Sequence, residues 1–345
     1  MEKSKFITRF DGSLHFSLQE PSTLSREIKI DLTLYDLLAT SCFLLGKVDG
    51  CSEFLSGADS IEFMYLLKEV IYSCQLEGSR ITLTEYFQSK LKSLGDFNQN
   101  DIEEISNYIK ANDYGLKEIE TLPLSIELLK EINEKLTPKK NKITCIESNL
   151  TTSLNTFLQG ERIPALIKAG ILHSEFMNNQ VFLNTKGKLS RILVNLYLHK
   201  QGVLKKPLLC LSEYFKKYEH EYFTKLNSIK EPSGTENWLK FFLSGIITTA
   251  NSVLQTAIKL KGLRESNSLQ VKNMGKNAEK GIILLKALYE RPFVSIKDVE
   301  EITSLKNPNA LSLVSKFVKL GILEEITGQK RNRIFAYQEY LSLFK

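Results

Sequence analysis

The residues best suited to chemistry lie in a short polar segment between two helical patterns, residues 180–188, with the sequence QVFLNTKGK. Lys186 and Lys188 flank Gly187 at the point where a new helix is expected to begin. The first backbone N–H groups of a helix and the helix dipole both favour an anion, and the two lysines add positive charge. The segment therefore predicts a place for a phosphate group, either as a working site or as the remnant of one.

Zinc, disulfide and histidine chemistry are not predicted elsewhere in the chain. The five cysteines are widely spread and form no CxxC pair, so neither a zinc site nor a disulfide framework is indicated. His173 lies seven residues before Gln180, about 10 Å away along a helix, and we expect it to be a packed or capping residue. The other three histidines belong to separate segments, and none is expected to be catalytic: His15, His199 and His220.

The elements that must hold the polar segment are predicted to be helices. From Leu32 onward apolar residues recur at helical spacing, so the first 260 residues are expected to be nearly all helix. A chain of 345 residues is long enough for two or three domains. We predict an N-terminal helical region (residues 1–100), a helical core (101–262), a linker or exposed helix (263–278) and a second domain (279–345).

Residues 279–345 predict a helix, a short strand, two helices and a β-hairpin. This is the element order of a winged helix-turn-helix, a small α+β fold. The candidates for nucleic-acid contact lie on its third helix and at the hairpin tip: Asn309, Ser312, Lys316, Lys330, Arg331 and Arg333. Acidic residues lie close by in sequence, so DNA binding and a role in protein docking are both open.

Three stretches together resemble proteins of the Fic family. SCQLEG at 73–78 resembles the family's inhibitory SxxxEG motif, which precedes the core. Residues 166–198 resemble the core itself, in which the motif HPFxDGNGRxxR lies between two helices, and the tail is similar to the winged-helix end of many bacterial members. The resemblance implies a mainly α fold: a Fic-like helical bundle followed by a small α+β winged helix-turn-helix domain.

In the family such a site transfers a nucleotide, usually the AMP of ATP, to a hydroxyl group of a target protein. The motif histidine acts as general base, and the motif acid helps to hold Mg²⁺ on the phosphates. In this chain Gln180 takes the place of the histidine and Asn184 that of the acid, so base and metal ligand are both replaced. The family's target-docking hairpin is not evident in residues 137–164.

The resemblance also implies a contact between two retained residues, Glu77 and Arg191. In family members this glutamate reaches the last arginine of the motif and keeps it from the outer phosphate. The pair is therefore either inhibitory or structural. The residues assigned to this pair are Ser73, Glu77, Gly78 and Arg191, and the candidates for anion or nucleotide binding are Lys186, Gly187, Lys188 and Arg191.

These observations favour a Fic-like pseudoenzyme that acts as an interaction or regulatory protein. Two alternatives stay open: altered nucleotidyl or phosphate transfer from ATP, and a DNA-binding regulator that uses the winged helix. No catalytic residue or metal ligand is predicted, and we expect ATP to bind weakly at best and Mg²⁺ not to be required. The expected partner is another protein or a second copy.

The composition is that of an ordinary globular protein. The net charge of +6 is compatible with an acidic partner but requires none. The first residues lack the apolar core of a secretion signal, and no run approaches the roughly 18 apolar residues of a membrane span. We therefore expect a cytoplasmic protein with no membrane partner.

Overall fold

The computed structural model shows a protein built mainly from α-helices, as predicted. It describes residues 7–8, 14–17, 27–54, 59–91, 97–138, 155, 157, 163–178, 182, 185, 187–329 and 331–345. Four of the predicted site residues lie outside the described residues: Gln180, Asn184, Lys186 and Lys330. Most of residues 137–164, where the docking hairpin was sought, lies outside them as well.

A small antiparallel sheet precedes the helices. Its strands are β1 (Ile7–Thr8), β2 (Leu14–Ser17) and β3 (Glu27–Ile30), with β2 in the middle. Leu14 lies opposite Ile30 and Ser17 lies opposite Glu27. The prediction that the first 260 residues are nearly all helix was wrong for this segment. Strands of two to four residues are too short to show a clear alternation of apolar and polar side chains.

Ten helices follow in the described part of the chain, up to residue 272. They are α1 (Leu32–Phe54), α2 (Asp59–Gln75), α3 (Leu83–Ser89), α4 (Gln99–Thr121), α5 (Ile126–Leu136), α6 (Ala165–Asn178), α7 (Lys188–Lys200), α8 (Leu211–Lys217), α9 (Glu219–Asn227) and α10 (Gly234–Lys272).

Helices α6 and α7 flank the polar segment and lie at the centre of this bundle. All residues from Lys188 to Leu198 are buried, polar and charged ones included. A helix that is buried all round packs against neighbours on every side, and α7 contacts α4, α6, α2 and α5. Polar side chains on such a helix must find partners inside the protein, because an unpaired buried polar group is costly.

The longest helix, α10, joins the two parts of the chain. It has 39 residues and packs against α1, α6 and α8. At Gly170 a β-carbon would lie 2.8 Å from the side chain of Leu239, so the glycine permits α6 and α10 to approach closely. The indole N–H of Trp238 donates a 2.7 Å hydrogen bond to the carbonyl of the same glycine. This contact fixes α6 against α10.

The structure places the expected boundary between residues 262 and 263 inside α10. Leu263 and Val271 are buried, as are the apolar residues earlier in the helix. The sequence predicts a linker or an exposed helix for residues 263–278. In the structure residues 263–272 belong to α10, and one face of this segment is buried. A short 3₁₀ turn at Gly275–Asn277 follows.

The described C-terminal residues form four helices and three short strands. They are α11 (Ala278–Glu290), β4 (Phe293–Ser295), α12 (Ile296–Thr303), α13 (Asn307–Lys319), β5 (Glu324–Glu325), β6 (Ile334–Ala336) and α14 (Gln338–Ser342), with β6 between β4 and β5. Ser295 and Asp298 form a reciprocal capping box at the start of α12. Gly321 follows α13 with φ +74°, as a glycine after a helix end commonly does.

These C-terminal elements share the core of the bundle. The ring of Phe293 stacks on Phe87 of α3 at 5.9 Å between centroids. The ring of Phe344 meets Tyr65 of α2 edge to face at 5.7 Å. Thr256 of α10 donates a 3.2 Å hydrogen bond to the backbone carbonyl of Leu343. Helices α2, α3 and α10 therefore hold the C-terminal elements in place.

Among the described residues one helix, α10, is long and apolar enough to cross a membrane by length and composition alone. Its most apolar window has a mean hydropathy of 1.3, and 56% of that window is buried inside the protein. The core helix of a soluble protein has the same properties, so this is weak evidence for a span. Its contacts with α1, α6 and α8 identify α10 as a core helix.

Candidate functional site

The candidate site lies where the end of α2 meets the start of α7. After Gln75 the chain turns, with the N–H of Gly78 donating to the carbonyl of Gln75 at 3.1 Å. Gly78 has φ +101°, which glycine adopts at little cost. This turn holds the preceding Glu77 beside α7, because Glu77 lies only two residues after the helix end at Gln75.

The start of α7 also depends on a glycine. Gly187 has φ +103°, and a β-carbon there would lie 2.6 Å from the sulfur of Met177 and 3.0 Å from the guanidinium of Arg191. The side chain of Ser190 donates a 2.6 Å hydrogen bond to the carbonyl of Gly187. The single glycine retained in this segment therefore has a structural reason: it lets the chain enter α7 directly beside Arg191.

Arg191 is buried and fully engaged with the end of α2. Its Nη2 lies 2.7 Å from Oε1 of Glu77, and the two side chains are only 2% and 6% exposed. Its Nε donates to the hydroxyl of Ser73 at 2.6 Å, and Nη2 also donates to the Ser73 carbonyl at 3.2 Å. The structure thus brings Ser73, Glu77 and Arg191 together as the sequence implied. With three such hydrogen bonds, the guanidinium group of Arg191 is held in one position.

Lys188 joins the same cluster and does not face outward. Its Nζ lies 3.3 Å from Oε2 of Glu77 and forms a second ion pair with Glu104 of α4. Each oxygen of Glu77 therefore holds one cation, Arg191 or Lys188. We call these four side chains, Glu77, Glu104, Lys188 and Arg191, the internal ion cluster. The sequence predicts Lys188 and Arg191 as anion ligands. In the structure, carboxylates of the protein already pair with both.

Burial and charge oppose each other in this cluster. Burial raises the pKa of the Glu77 carboxyl by more than Arg191 and Lys188 lower it. Burial alone would lower the pKa of Lys188 and of Arg191, but the neighbouring negative charges and hydrogen bonds, Glu77 first among them, together raise both above their usual values. The two cations therefore keep their charge throughout the physiological range, and Glu77 is the member whose charge is costly.

A second buried carboxyl, Glu69, was missed from the sequence. It accepts hydrogen bonds from the N–H of Ser212 at 2.9 Å and from its hydroxyl at 2.5 Å. Burial raises its pKa. A signal was available: Glu69 and Ser73 are four residues apart on one face of α2, and Glu77 follows at the same spacing in the turn after it. Polar residues repeated along a buried helix indicate an internal polar network.

His173 is a packed core residue, as expected. It is completely buried, its ring stacks on Trp238 at 5.4 Å, and its Nε2 lies 2.9 Å from the hydroxyl of Tyr222. Burial lowers its pKa to about 3, so the imidazole is neutral at pH 7. Among the described residues no group of three His, Cys, Asp or Glu side chains is arranged to hold a metal ion.

The nucleic-acid candidates on α13 share one face of that helix. Asn309 and Ser312 near its start are exposed. Lys316 and Lys319 near its end line a shallow depression of about 490 Å³ together with the last turn of α10. At the hairpin Arg331 is exposed, whereas the guanidinium of Arg333 lies 5.4 Å from the centre of the Phe335 ring.

Comparison with known proteins agrees with this arrangement of helices. Residues 35–117, from α1 to α4, match the family described as Fic/DOC family N-terminal. The fold is similar to that of a Fic family protein from Desulfovibrio desulfuricans G20, with a TM-score of 0.59, 14% identity and coverage of 93% of this chain and 98% of that one. Residues 35–117 therefore match the N-terminal part of the Fic/DOC family, and this match and the similar fold together support a Fic-domain protein.

A weaker similarity links this chain to a Fic domain containing signaling protein from Bacteroides thetaiotaomicron VPI-5482. The identity is 16%, the TM-score is 0.46, and the match covers 65% of this chain and 96% of that one. At this TM-score it adds no argument about the fold. At 14% identity the first similarity concerns the fold alone, so the chemistry of the candidate site must be argued from this chain's own residues.

We expect Glu77→Ala to destabilise the protein by about 3 kcal/mol or more, because it leaves Arg191 and Lys188 buried without their shared carboxylate. Glu104→Ala is the matched control. Its side chain is 38% exposed and it binds Lys188 alone, so we expect a loss of about 1 kcal/mol or less. Urea unfolding of the three proteins measures both values. A Glu77→Ala protein as stable as the Glu104→Ala protein would contradict the assignment.

Glu69 predicts a pH dependence of stability with a definite sign. Its folded pKa is raised above the usual value of 4.5, so the folded state binds its proton more tightly than the unfolded state does. Stability from this group is therefore full below about pH 4.5 and is lost as the pH rises towards the folded pKa. Glu69→Gln keeps the shape and can still bond to Ser212, and we expect it to remove this loss.

The measurement is the free energy of unfolding of wild type and Glu69→Gln across the pH range above 4.5. Glu77 is present in both proteins, so its own titration cancels in the difference if the two sites act independently. We expect the variant to gain stability relative to wild type as the pH rises. Parallel pH curves for the two proteins would show that Glu69 is not the group responsible.

Proposed function

We propose that this Fic-family protein is a pseudoenzyme, which keeps the helical bundle of the family and acts in the cytoplasm as an interaction or regulatory protein without transferring AMP. One observation carries the proposal. Lys188 and Arg191, the two cations that match the arginines of the family motif, are both paired with Glu77 inside the protein, and Lys188 is paired with Glu104 as well.

The cost of opening the internal ion cluster argues against tight nucleotide binding. A phosphate that used Arg191 would have to displace Glu77 from a buried, hydrogen-bonded pair. Breaking such a pair from one side costs about 3 to 5 kcal/mol, which corresponds to roughly two to nearly four orders of magnitude in affinity. Glu77 in this sense occupies the place of an anion, and the pair holds α2 against α7 without any ligand.

The sequence of the loop supports the same proposal. Gln180 stands where the family has its general base, and an amide has no proton-accepting role near pH 7. Asn184 stands where the family has its metal-holding acid, and a neutral oxygen is a poorer ligand for Mg²⁺ than a carboxylate. Lys188 replaces the planar fork of an arginine with a single ammonium group. Three separate contributions to catalysis are changed together.

Incubation with labelled ATP and Mg²⁺ tests the proposal. We expect no labelled protein with wild type, with Glu77→Gly or with Glu77→Gln, because release of the arginine restores neither a base nor a metal ligand. Glu77→Gln is included because Glu77→Gly adds backbone freedom next to Gly78 and can unfold the turn. Calorimetric titration of ATP should show weak binding at best, with Glu77→Gln binding more tightly than wild type because the competing charge is gone.

Two outcomes would overturn the pseudoenzyme proposal. One is label transfer by any of these proteins. The other is Mg²⁺-dependent ATP binding by wild type with a sub-micromolar dissociation constant. If a turnover with a different phosphorylated substrate were found, loss of that turnover in Gln180→Ala would establish the alternative, an enzyme with altered chemistry in which Lys188 supplies positive charge.

A second candidate function is DNA binding through the C-terminal elements. The order of α11, β4, α12, α13, β5 and β6 matches a winged helix-turn-helix, in which the third helix enters the major groove. The observation that favours it is the open start of α13, where Asn309 and Ser312 are exposed, together with exposed Arg331 at the hairpin. Asparagine and serine can reach base edges, and arginine can bind phosphate.

A mobility-shift assay with genomic fragments tests this second candidate. If DNA binds, simultaneous replacement of Lys330, Arg331 and Arg333 by alanine should abolish the shift, and binding should weaken steeply with salt. The matched control replaces three exposed cations on α10 and α11 by alanine, which removes the same charge: Lys259, Lys261 and Lys286. Absent or salt-independent binding, or equal loss in both triple variants, would exclude specific recognition by the hairpin.

A further inference from the structure

The outer face of α1 is an apolar stripe that no other part of the described chain covers. One face of α1 packs against α10, with Leu34, Leu45 and Val48 buried. The opposite face carries a row at helical spacing whose only charged member is Asp36, and we call its five uncharged residues the outer stripe: Leu32, Ala39, Phe43, Gly46 and Gly50. Leu32 is 77% exposed and Phe43 is 62% exposed. Two large, highly exposed apolar side chains joined by small residues along one helix face indicate an interaction surface.

Opposite charges lie on one flank of the outer stripe. Asp36 and Lys47 are both exposed and lie on the same side of it, eleven residues and therefore roughly 16 Å apart. Neither forms an ion pair with another described residue; the ammonium group of Lys47 lies 4.4 Å from the centre of the Phe43 ring. The other flank carries Tyr35, which is 53% exposed, and the exposed thiol of Cys42. The charges of Asp36 and Lys47 therefore lie at equal distances from the point between residues 41 and 42, near the middle of the outer stripe.

We propose that the outer stripe binds the outer stripe of a second copy of this protein, with the two α1 helices antiparallel. In an antiparallel pair each flank of one helix meets the same flank of the other. A two-fold axis between residues 41 and 42 then places Asp36 of each copy opposite Lys47 of the other. The dimer therefore contains two Asp36–Lys47 pairs. The small residues Ala39, Gly46 and Gly50 allow the helices to approach closely around Phe43.

The charge pattern is what favours a second copy over an unrelated protein. A two-fold interface must be complementary to itself, because the same patch is presented by both subunits. An apolar stripe whose flanking charges have opposite sign and equal distance from the centre meets this condition. A parallel pair does not, since it brings opposite flanks together and leaves Asp36 and Lys47 without each other.

Sedimentation equilibrium of the full chain over a range of concentrations tests the proposal. A single helix pair buries a small area, so we expect a dimer with a dissociation constant on the order of 1 to 100 µM. Phe43→Lys should raise that constant by about tenfold or more, because it removes the central apolar contact and adds like charges at the axis. Ile258→Lys is the matched control: Ile258 is 67% exposed on α10, away from the stripe, and its replacement should leave the dimer unchanged.

Charge reversal tests the antiparallel register. Asp36→Lys alone and Lys47→Asp alone should each weaken the dimer, because every charge then faces one of its own sign. The double variant, Asp36→Lys with Lys47→Asp, should restore wild-type association. An equimolar mixture of the two single variants should form a mixed dimer, since one protein then carries two lysines and the other two aspartates on that flank.

Cross-linking locates the axis. Antiparallel pairing about residues 41 and 42 offsets the two Cys42 residues by only about 1.5 Å along the helix axis. A short bis-maleimide should therefore link wild-type chains into dimers, and Cys42→Ser should prevent it. A monomeric wild-type protein at about 0.5 mM, well above the expected dissociation constant, would overturn the proposal. A dimer that survives Phe43→Lys, or a double charge variant that fails to recover, would overturn it equally.

Discussion

The fold around the candidate site depends on one buried carboxylate that holds two cations. Glu77 reaches from the turn after α2 to both Lys188 and Arg191 on α7, and all three side chains are nearly excluded from water. Three charges buried together are tolerable only when each has a partner, so removing Glu77 leaves both cations without their shared carboxylate. The position of α2 relative to α7 is therefore fixed by charge pairing as well as by apolar packing, and the entry into α7 at Gly187 is shaped to permit it.

Helix α2 has a second set of contacts that tie the site to the C-terminal elements. Its Tyr65 meets Phe344, and α3, which follows the Glu77 turn, stacks Phe87 on Phe293. The same helix thus carries Glu69, Ser73 and the approach to Glu77 on one face and supports the C-terminal elements with another. Any shift of α2 large enough to withdraw Glu77 from Arg191 would also disturb these ring contacts. Contacts on two faces of α2 therefore hold the internal ion cluster in place.

Much of this could be predicted from the sequence, because the decisive signals were local. The sequence predicts a new helix where Gly187 stands, and the Ser-x-x-Asp pattern of Ser295 and Asp298 is the capping box that begins α12. The pairing of Glu77 with Arg191 came from the resemblance to the Fic family and not from spacing, since the two are 114 residues apart. The involvement of Glu104 with Lys188 had no comparable signal, because a single glutamate on an amphipathic helix is indistinguishable from a solvated one.

Two other features escaped prediction for a physical reason. The strands before Leu32 are too short to carry a periodic pattern, and their pairing is set by contacts between separate strands. The sequence predicts a linker or an exposed helix for residues 263–278, because the buried face of α10 there includes a polar residue, Asn267, which donates a hydrogen bond to the hydroxyl of Tyr337. Asn267 is polar by residue type, but in the structure it is buried and its side chain has a hydrogen-bond partner.

The unbroken course of α10 has a consequence for how the protein responds to stress. A helix of 39 residues that is buried against the bundle at one end and against the C-terminal elements at the other offers no flexible joint between them. The α-helical hydrogen-bond ladder must break before either part can turn or separate on its own. The two parts therefore form one mechanical and cooperative unit, in which melting of the C-terminal elements and melting of the bundle are a single event.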